Sequence, residues 1–140
     1  MSITIILPLP PNTLSPNARV HWAAKGKAVA KYRRDAEYAA IAALAAMAFD
    51  AGLRMERPRW KRATATVAFY FRTRRRRDGD NALASIKAGL DGIADAGIVV
   101  NDSGLFPLLF EDWHRVDPNN PRVEIVVKEM PPEEEAVAHG

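Results

Sequence analysis

One stretch of the sequence, RATATVAFYF at residues 62–71, constrains the fold more than any other. Its apolar and polar side chains alternate, and alternating side chains point to opposite faces of a β-strand. One face would carry Ala63, Ala65, Val67, Phe69 and Phe71. The opposite face would carry threonine and tyrosine side chains. The pattern predicts a strand with one apolar face.

Two other stretches have helical character. From about Lys25 to Phe49 the chain is rich in alanine and has no proline, which favours a long helix. Its apolar stripe would comprise Val29, Tyr32, Ala36, Ala40, Ala43 and Met47. A second helix is predicted over residues 81–96, with a stripe of Leu83, Ile86, Leu90 and Ile93. Gly97 would end that helix.

The remaining apolar runs predict further strands. These are residues 3–9, 98–100, 105–116 and 122–129, with the turn DPNNP joining the last two as a hairpin. The order of elements predicts an α+β fold, in which a mixed sheet is packed against two main helices. We expect a single domain over residues 1–130. Residues 131–140 would form an acidic, disordered tail.

The charge distribution indicates an anionic partner. Net charge is +3, but residues 129–140 hold four acids and no lysine or arginine, so 20 basic and 13 acidic residues leave +7 on the first 128. A basic body favours nucleic acid as the partner, although charge also serves solubility. The chain has no cysteine, no membrane-length apolar run and no signal-peptide pattern, so a cytoplasmic location is expected.

The most unusual motif is RRRRDGDN, in which a run of arginines meets two aspartates. Five arginines occupy six positions at residues 72–77, and Asp78 and Asp80 follow directly. A surface cluster of salt bridges is one interpretation. Helix capping by Asp80 is another. The third is a Mg²⁺ site, because two carboxylates on one face of extended backbone repel each other unless a cation lies between them.

Other polar residues are candidates for the same site. Asp102 could return to the aspartate pair, or it could be a turn residue in NDSG. Lys87 follows Asp80 by seven residues, about two helical turns, and could reach the carboxylates or lie in solvent. Lys25, Lys27 and Lys31 could extend a basic DNA-binding surface with Arg74, Arg75, Arg76 and Arg77. Trp22 and Trp113 are interpreted as core or interface residues rather than base-stacking platforms.

Over about residues 3–128 the sequence resembles the RusA family of Holliday junction resolvases. The resemblance rests on LPLPPN, SPNARVHW, KAVAKYRR, RRRRDGDN, IKAGLDGIADAG and VVND. It suits divergent phage or prophage members, because the lysine comes later than in the best-known member and Asn101 stands where an aspartate is usual.

The resemblance implies a metal-dependent endodeoxyribonuclease for four-way junctions, acting in DNA recombination and repair. It implies a homodimer that uses Mg²⁺ or Mn²⁺ and no organic cofactor. Asp78, Asp80 and Asp102 would be the metal ligands, Lys87 would assist catalysis, and Asn81 would complete the motif. The alternatives are a branched-DNA-binding module without catalysis and a nuclease for other branched DNA.

Overall fold

The computed structural model describes residues 1–100 and 105–131, with the side chains of residues 105–107 excepted. The strands are β1 (Ser2–Leu7), β2 (Ala63–Phe71), β3 (Leu105–Leu109), β4 (His114–Val116) and β5 (Arg122–Glu129). The helices are α1 (Trp22–Asp50) and α2 (Gly79–Asp95), with a 3-10 turn at Asn12–Leu14. The predicted α+β class is therefore confirmed.

The sheet is mixed and has β5 between β1 and β2. β5 is antiparallel to both neighbours, whereas β3 and β4 lie along the other side of β2 and run parallel to it. The predicted hairpin of 105–116 with 122–129 is wrong, because β2 lies between these two segments in the sheet. The chain instead passes around the end of β2, where the Asp117 amide donates to the Phe71 carbonyl at 2.8 Å. Residues 105–116 also form two short strands instead of one.

The core lies on the face of β2 that the alternation predicted. Ala63, Ala65, Val67, Phe69 and Phe71 are all buried, as are the matching positions of β1 and β5. The α2 stripe is confirmed for Ile86, Leu90 and Ile93, while Leu83 is half-buried. The α1 stripe is confirmed in part. Its buried residues are Tyr32, Ala36, Ala40 and Leu44, while Val29 and Met47 are exposed.

The two helices run parallel to each other and approach closely. Gly89 of α2 faces the Tyr32 ring, and Gly92 lies against the backbone of Arg33 and the side chain of Ala36. Residue numbers increase in the same direction along both helices, because Gly89 lies beside Tyr32 and Gly92 lies beside Arg33 and Ala36. The N-termini of α1 and α2 therefore lie at the same end of the molecule.

The C-terminus of α2 brings the chain back to the opposite end of β2. Gly97 has a φ of +85°, the left-handed conformation that suits glycine after a helix, so the predicted helix stop is confirmed. Val99 then forms a parallel bridge with Trp60, which lies just before β2. Among the described residues, no helix has the length and apolarity needed to cross a membrane.

Candidate functional site

An open cleft of about 460 Å³ lies where the end of β2 meets the start of α2. We call it the arginine–aspartate cleft. Its lining residues are Leu9, Pro10, Pro11, Asn12, Ser15, Phe69, Phe71, Arg75, Arg76, Arg77, Asp78, Asn81, Ala82 and Ser85. The motif RRRRDGDN therefore forms one wall of the cleft, and the proline-rich loop after β1 forms the other.

The proline-rich wall is held in place by a buried tyrosine of α1. The Tyr32 hydroxyl donates a hydrogen bond of 2.6 Å to the carbonyl of Pro8, where the loop leaves β1. Burial raises the pKa of Tyr32 well above its usual value, with a further contribution from the negative charge of Asp35. This shift favours the protonated phenol, which is the form that donates to the Pro8 carbonyl.

Asp78 is the N-cap of α2. Its Oδ1 accepts hydrogen bonds from the amides of Asp80 at 2.8 Å and Asn81 at 3.3 Å. An aspartate of the motif does cap the helix, as predicted, but the capping residue is Asp78 rather than Asp80. Asp80 lies in the first turn of α2. The extended backbone expected between the aspartates is absent, because Gly79 already belongs to the helix. The two carboxylates thus lie at the start of α2, where the helix dipole favours negative charge.

The arginines do not pair with these aspartates. Within the described residues, neither Asp78 nor Asp80 forms an ion pair. Arg77 instead lies over the Phe71 ring at 3.9 Å and donates to the carbonyls of Thr73 and Arg75. Burial and the nearby charge of Arg75 lower its pKa. The interpretation of the motif as a cluster of surface salt bridges is therefore wrong.

The arginines before Arg77 present their charge to solvent. Arg72, Arg74, Arg75 and Arg76 are exposed, and their guanidinium groups have no hydrogen-bond acceptor among the described residues. Four such groups in five positions make a concentrated positive field beside the cleft. A phosphate backbone is the anion that guanidinium groups bind with matching geometry.

Lys87 lies outside the arginine–aspartate cleft. Its ammonium is 3.7 Å from the Asp91 carboxylate, one turn further along α2, and its side chain is 76% exposed. No ion pair joins it to Asp78 or Asp80. The predicted reach of Lys87 toward the carboxylates does not occur in this conformation.

Asp102 lies outside the described residues. The nearest described residue in the sequence is Val100, whose amide donates to the Trp60 carbonyl at 2.9 Å. This contact is at the C-terminal end of α2, and Asp78 is at its N-terminal end. The 17 residues of α2 separate the two ends by about 25 Å.

The predicted basic residues of α1 lie beside a second groove. This helix groove, of about 350 Å³, is lined by Leu14, Pro16, Lys25, Val29, Ala84, Ser85, Lys87, Ala88 and Asp91. Lys27 is exposed, and Lys31 pairs with Asp35 at 2.6 Å. Ser85 lines both this groove and the arginine–aspartate cleft, so the two depressions adjoin.

An aromatic cluster supports the cleft, and no pattern in the sequence predicts it. Trp113 stacks on Phe110 at 5.1 Å and meets Phe71 edge-on at 6.1 Å. Its indole also packs beside Gly79, where an added Cβ would lie 3.4 Å from the ring. His114 Nε2 lies 3.2 Å from the carbonyl of Arg75. Trp113 is half-buried, as the core interpretation predicted, and fixes the start of α2 against the sheet.

The carboxylates at the start of α2 have the chemistry to bind a hard cation; Asp78 lines the cleft, and Asp80 is not among its lining residues. The Oδ2 atom of Asp78 and both oxygens of Asp80 accept no hydrogen bond from the described residues. Mg²⁺ takes oxygen ligands, keeps several waters and is commonly bound by only one or two carboxylates. In the ranges 1–100 and 105–131, no group of three or more acidic or histidine side chains is close enough to share an ion. Two carboxylates are therefore the set available there.

Comparison with known proteins gives a relative but no activity. No protein-family model matches the sequence. A protein of Xylella fastidiosa (strain Temecula1), described as uncharacterized, is 43% identical over 93 residues. The match covers 66% of this chain and 56% of that protein. The matched part of this chain thus spans little more than half the length of the relative.

Proposed function

We propose that the protein is a Mg²⁺-dependent endodeoxyribonuclease of the RusA type that resolves four-way DNA junctions. The observation that carries the proposal is the pair of carboxylates at the start of α2. Among residues 1–100 and 105–131 they have no cationic partner, although four exposed arginines precede them within a few residues. Carboxylates that merely balanced the arginines would pair with them. Carboxylates left open beside a phosphate-binding surface suit a metal that acts on DNA.

Each wall of the cleft has a distinct role in this proposal. Arg74, Arg75 and Arg76 bind the phosphates on either side of the cleaved bond. Asp78 and Asp80 hold Mg²⁺, for which Mn²⁺ can substitute, and this ion supplies an activated water and charge stabilisation at the leaving oxygen. The hydrogen bonds to Oδ1 of Asp78 fix the orientation of its carboxylate, so that Oδ2 is directed before DNA arrives.

Neither Lys87 nor the lysines of α1 line the arginine–aspartate cleft. Lys25, Lys27 and Lys31 attract the duplex arms through the electrostatic field, which implies a steep dependence of affinity on salt. Lys87, as the proposed catalytic lysine, must leave Asp91 to assist at the cleft. Its exposure leaves the side chain free to do so.

A homodimer is supported by the separation of the two ends of α2. Two residues of chain after Val100 span at most about 7 Å, which is short against the length of α2. In this proposal, in which the RusA resemblance makes Asp102 a metal ligand, the Asp102 that serves each site is supplied by a second protomer. Two such sites related by a two-fold axis match the approximate symmetry of a four-way junction. The protein would act in the cytoplasm, where chromosomal or phage DNA recombines.

The variant Asp78→Asn separates the capping role of Asp78 from metal binding. Asparagine caps helices as well as aspartate does, so the melting temperature should change little. Loss of the charge should abolish cleavage in Mg²⁺ while junction binding in Ca²⁺ is kept. Asp80→Asn, which does not alter the cap, should behave in the same way. Full cleavage by both variants would overturn the metal site.

Mixed dimers test the shared site. Asp80→Asn and Asp102→Asn proteins should each be inactive alone. If each site draws on both protomers, a mixed dimer holds one site with both changes and one intact site, so mixing should restore single nicks. If each site belongs to one chain, every site carries a change and mixing restores nothing.

A non-catalytic junction-binding module is the second candidate. It is favoured by the cap role of Asp78 and by the pairing of Lys87 with Asp91. Under this alternative, Asp80→Asn would bind junctions as tightly as wild type or more tightly, and wild type would bind junctions in Mg²⁺ without cutting them. A nuclease for other branched DNA would instead cut forks or flaps faster than junctions.

A further inference from the structure

Trp22 is exposed in a way that the fold does not explain. It is the first residue of α1, and its side chain is 80% exposed, whereas Trp60 is buried and Trp113 is half-buried. The only ring beside its indole, among the described residues, is that of His21 at 5.4 Å. Single exposed apolar side chains are ordinary on protein surfaces, and Phe49 is exposed even more, at 86%. A partner for Trp22 is therefore inferred from the residues around it. Of the two interpretations of Trp22, as a core or an interface residue, the core interpretation is wrong, and the interface interpretation stays a prediction.

The charge around Trp22 indicates the chemistry of that partner. Residues 1–34 contain six lysines and arginines and no acid. Lys31 and Arg33 pair with acids, but Arg19, Lys25 and Lys27 pair with none among the described residues. Cations near a helix N-terminus also oppose the helix dipole, which makes the local field more positive. An aromatic ring within such a field is the combination that binds nucleic acid strands.

Trp22 lies at the same end of the molecule as the arginine–aspartate cleft. α1 and α2 run parallel, so the first turn of α1 is near the first turn of α2, which begins beside Asp78. Lys25, one turn after Trp22, lines the helix groove together with Ser85, and Ser85 also lines the cleft. The helix groove, whose basic residues are Lys25 and Lys87, therefore adjoins the cleft on one side, and Trp22 lies one helical turn before Lys25.

We infer that Trp22 stacks on a DNA base that is unpaired or unstacked near the branch point. The inference rests on the proposed action on branched DNA and adds how the branch is recognised. Arginines of the cleft bind phosphates of any duplex, whereas an exposed indole needs a free base face. A branch point offers such faces, and a continuous duplex does not. Trp22 thus favours branched over linear DNA.

The test compares Trp22→Ala, Trp22→Phe and the matched control Phe49→Ala in an Asp80→Asn background. Phe49 is 86% exposed but lies near the other end of the 29-residue α1, about 40 Å away. Junction affinity should fall about ten-fold or more in Trp22→Ala, in line with the loss of one stacked base. Trp22→Phe should retain most of the affinity, and Phe49→Ala all of it. Affinity for linear duplex should not change.

Fluorescence quenching of the Asp80→Asn protein tests the same inference without any substitution at Trp22. Acrylamide should quench a large share of the tryptophan fluorescence, and junction DNA should protect that share. If the fluorescence is protected from acrylamide in the absence of DNA, and this protection grows with protein concentration, Trp22 lies between protomers. That result would overturn the inference. The inference would also be overturned if adding Trp22→Ala to the Asp80→Asn protein left its junction affinity unchanged. The proposed nuclease function would still stand in that case, provided that the wild-type protein cuts junctions. Failure of wild type to bind junctions overturns both.

Discussion

Substitution of Gly92 by alanine tests the close approach of the two helices. A Cβ built at Gly92 would lie 2.0 Å from the carbonyl oxygen of Arg33 and 2.9 Å from the Cβ of Ala36. The nearest atom is backbone, so it cannot move aside by a change of rotamer. The helices must separate by roughly 1 Å, and overpacking of this kind costs about 1–3 kcal/mol.

The expected net effect includes the helix propensity of alanine. Alanine is better than glycine within a helix by about 1 kcal/mol. With a clash near the upper limit of about 3 kcal/mol, Gly92→Ala should lower the free energy of unfolding by about 2 kcal/mol. For a chain of this length the melting temperature should fall by about 5–10 °C. Thermal and urea unfolding followed by circular dichroism would measure both.

Gly26→Ala is the matched control for this change. Gly26 is also in a helix, but an added Cβ would have no atom within 4 Å. Only the propensity term applies, so this variant should gain about 0.5–1 kcal/mol. Equal stabilisation by the two variants would refute the packing of α1 against α2 described above.

Three further changes test individual contacts. Tyr32→Phe removes the donor to the Pro8 carbonyl and should cost about 1 kcal/mol in urea unfolding. Asp78→Ala removes the α2 cap and should cost about 1 kcal/mol, which Asp78→Asn should not. The hydrogen bond from Arg33 lowers the pKa of Asp95, so this pair stabilises the protein above about pH 4 and is lost as the pH falls through the lowered pKa. The pair is partly exposed, so Asp95→Asn should reduce stability at pH 7 by less than about 1 kcal/mol, and this difference should shrink as the pH falls through the lowered pKa of Asp95.

The elements with a clear period could be predicted from the sequence. The alternation in β2 identified its buried face because a strand with one buried face has a period of two. The α2 stripe was identified for the same kind of reason, and Gly97 marked the helix end because its positive φ suits glycine. In each case the local pattern and the packing agree.

Pairing partners and exposure could not be predicted in the same way. The period of a strand does not say which strand lies beside it, so β4 and β5 looked like a hairpin although β2 lies between them. The predicted cap, Asp80, is two residues after the observed cap, Asp78, and the sequence could not separate them because both are good capping residues. The exposure of Trp22 depends on where α1 begins relative to α2, which is a tertiary property.

The most direct test of the account is to incubate the wild-type protein with a synthetic four-way junction in Mg²⁺ and to map the products. The account predicts paired nicks at symmetric positions, with 5′-phosphate ends that a ligase can seal, and no cutting in Ca²⁺. Tight binding with no cleavage in either Mg²⁺ or Mn²⁺ would contradict it, and Asp78 and Asp80 would then serve only the start of α2.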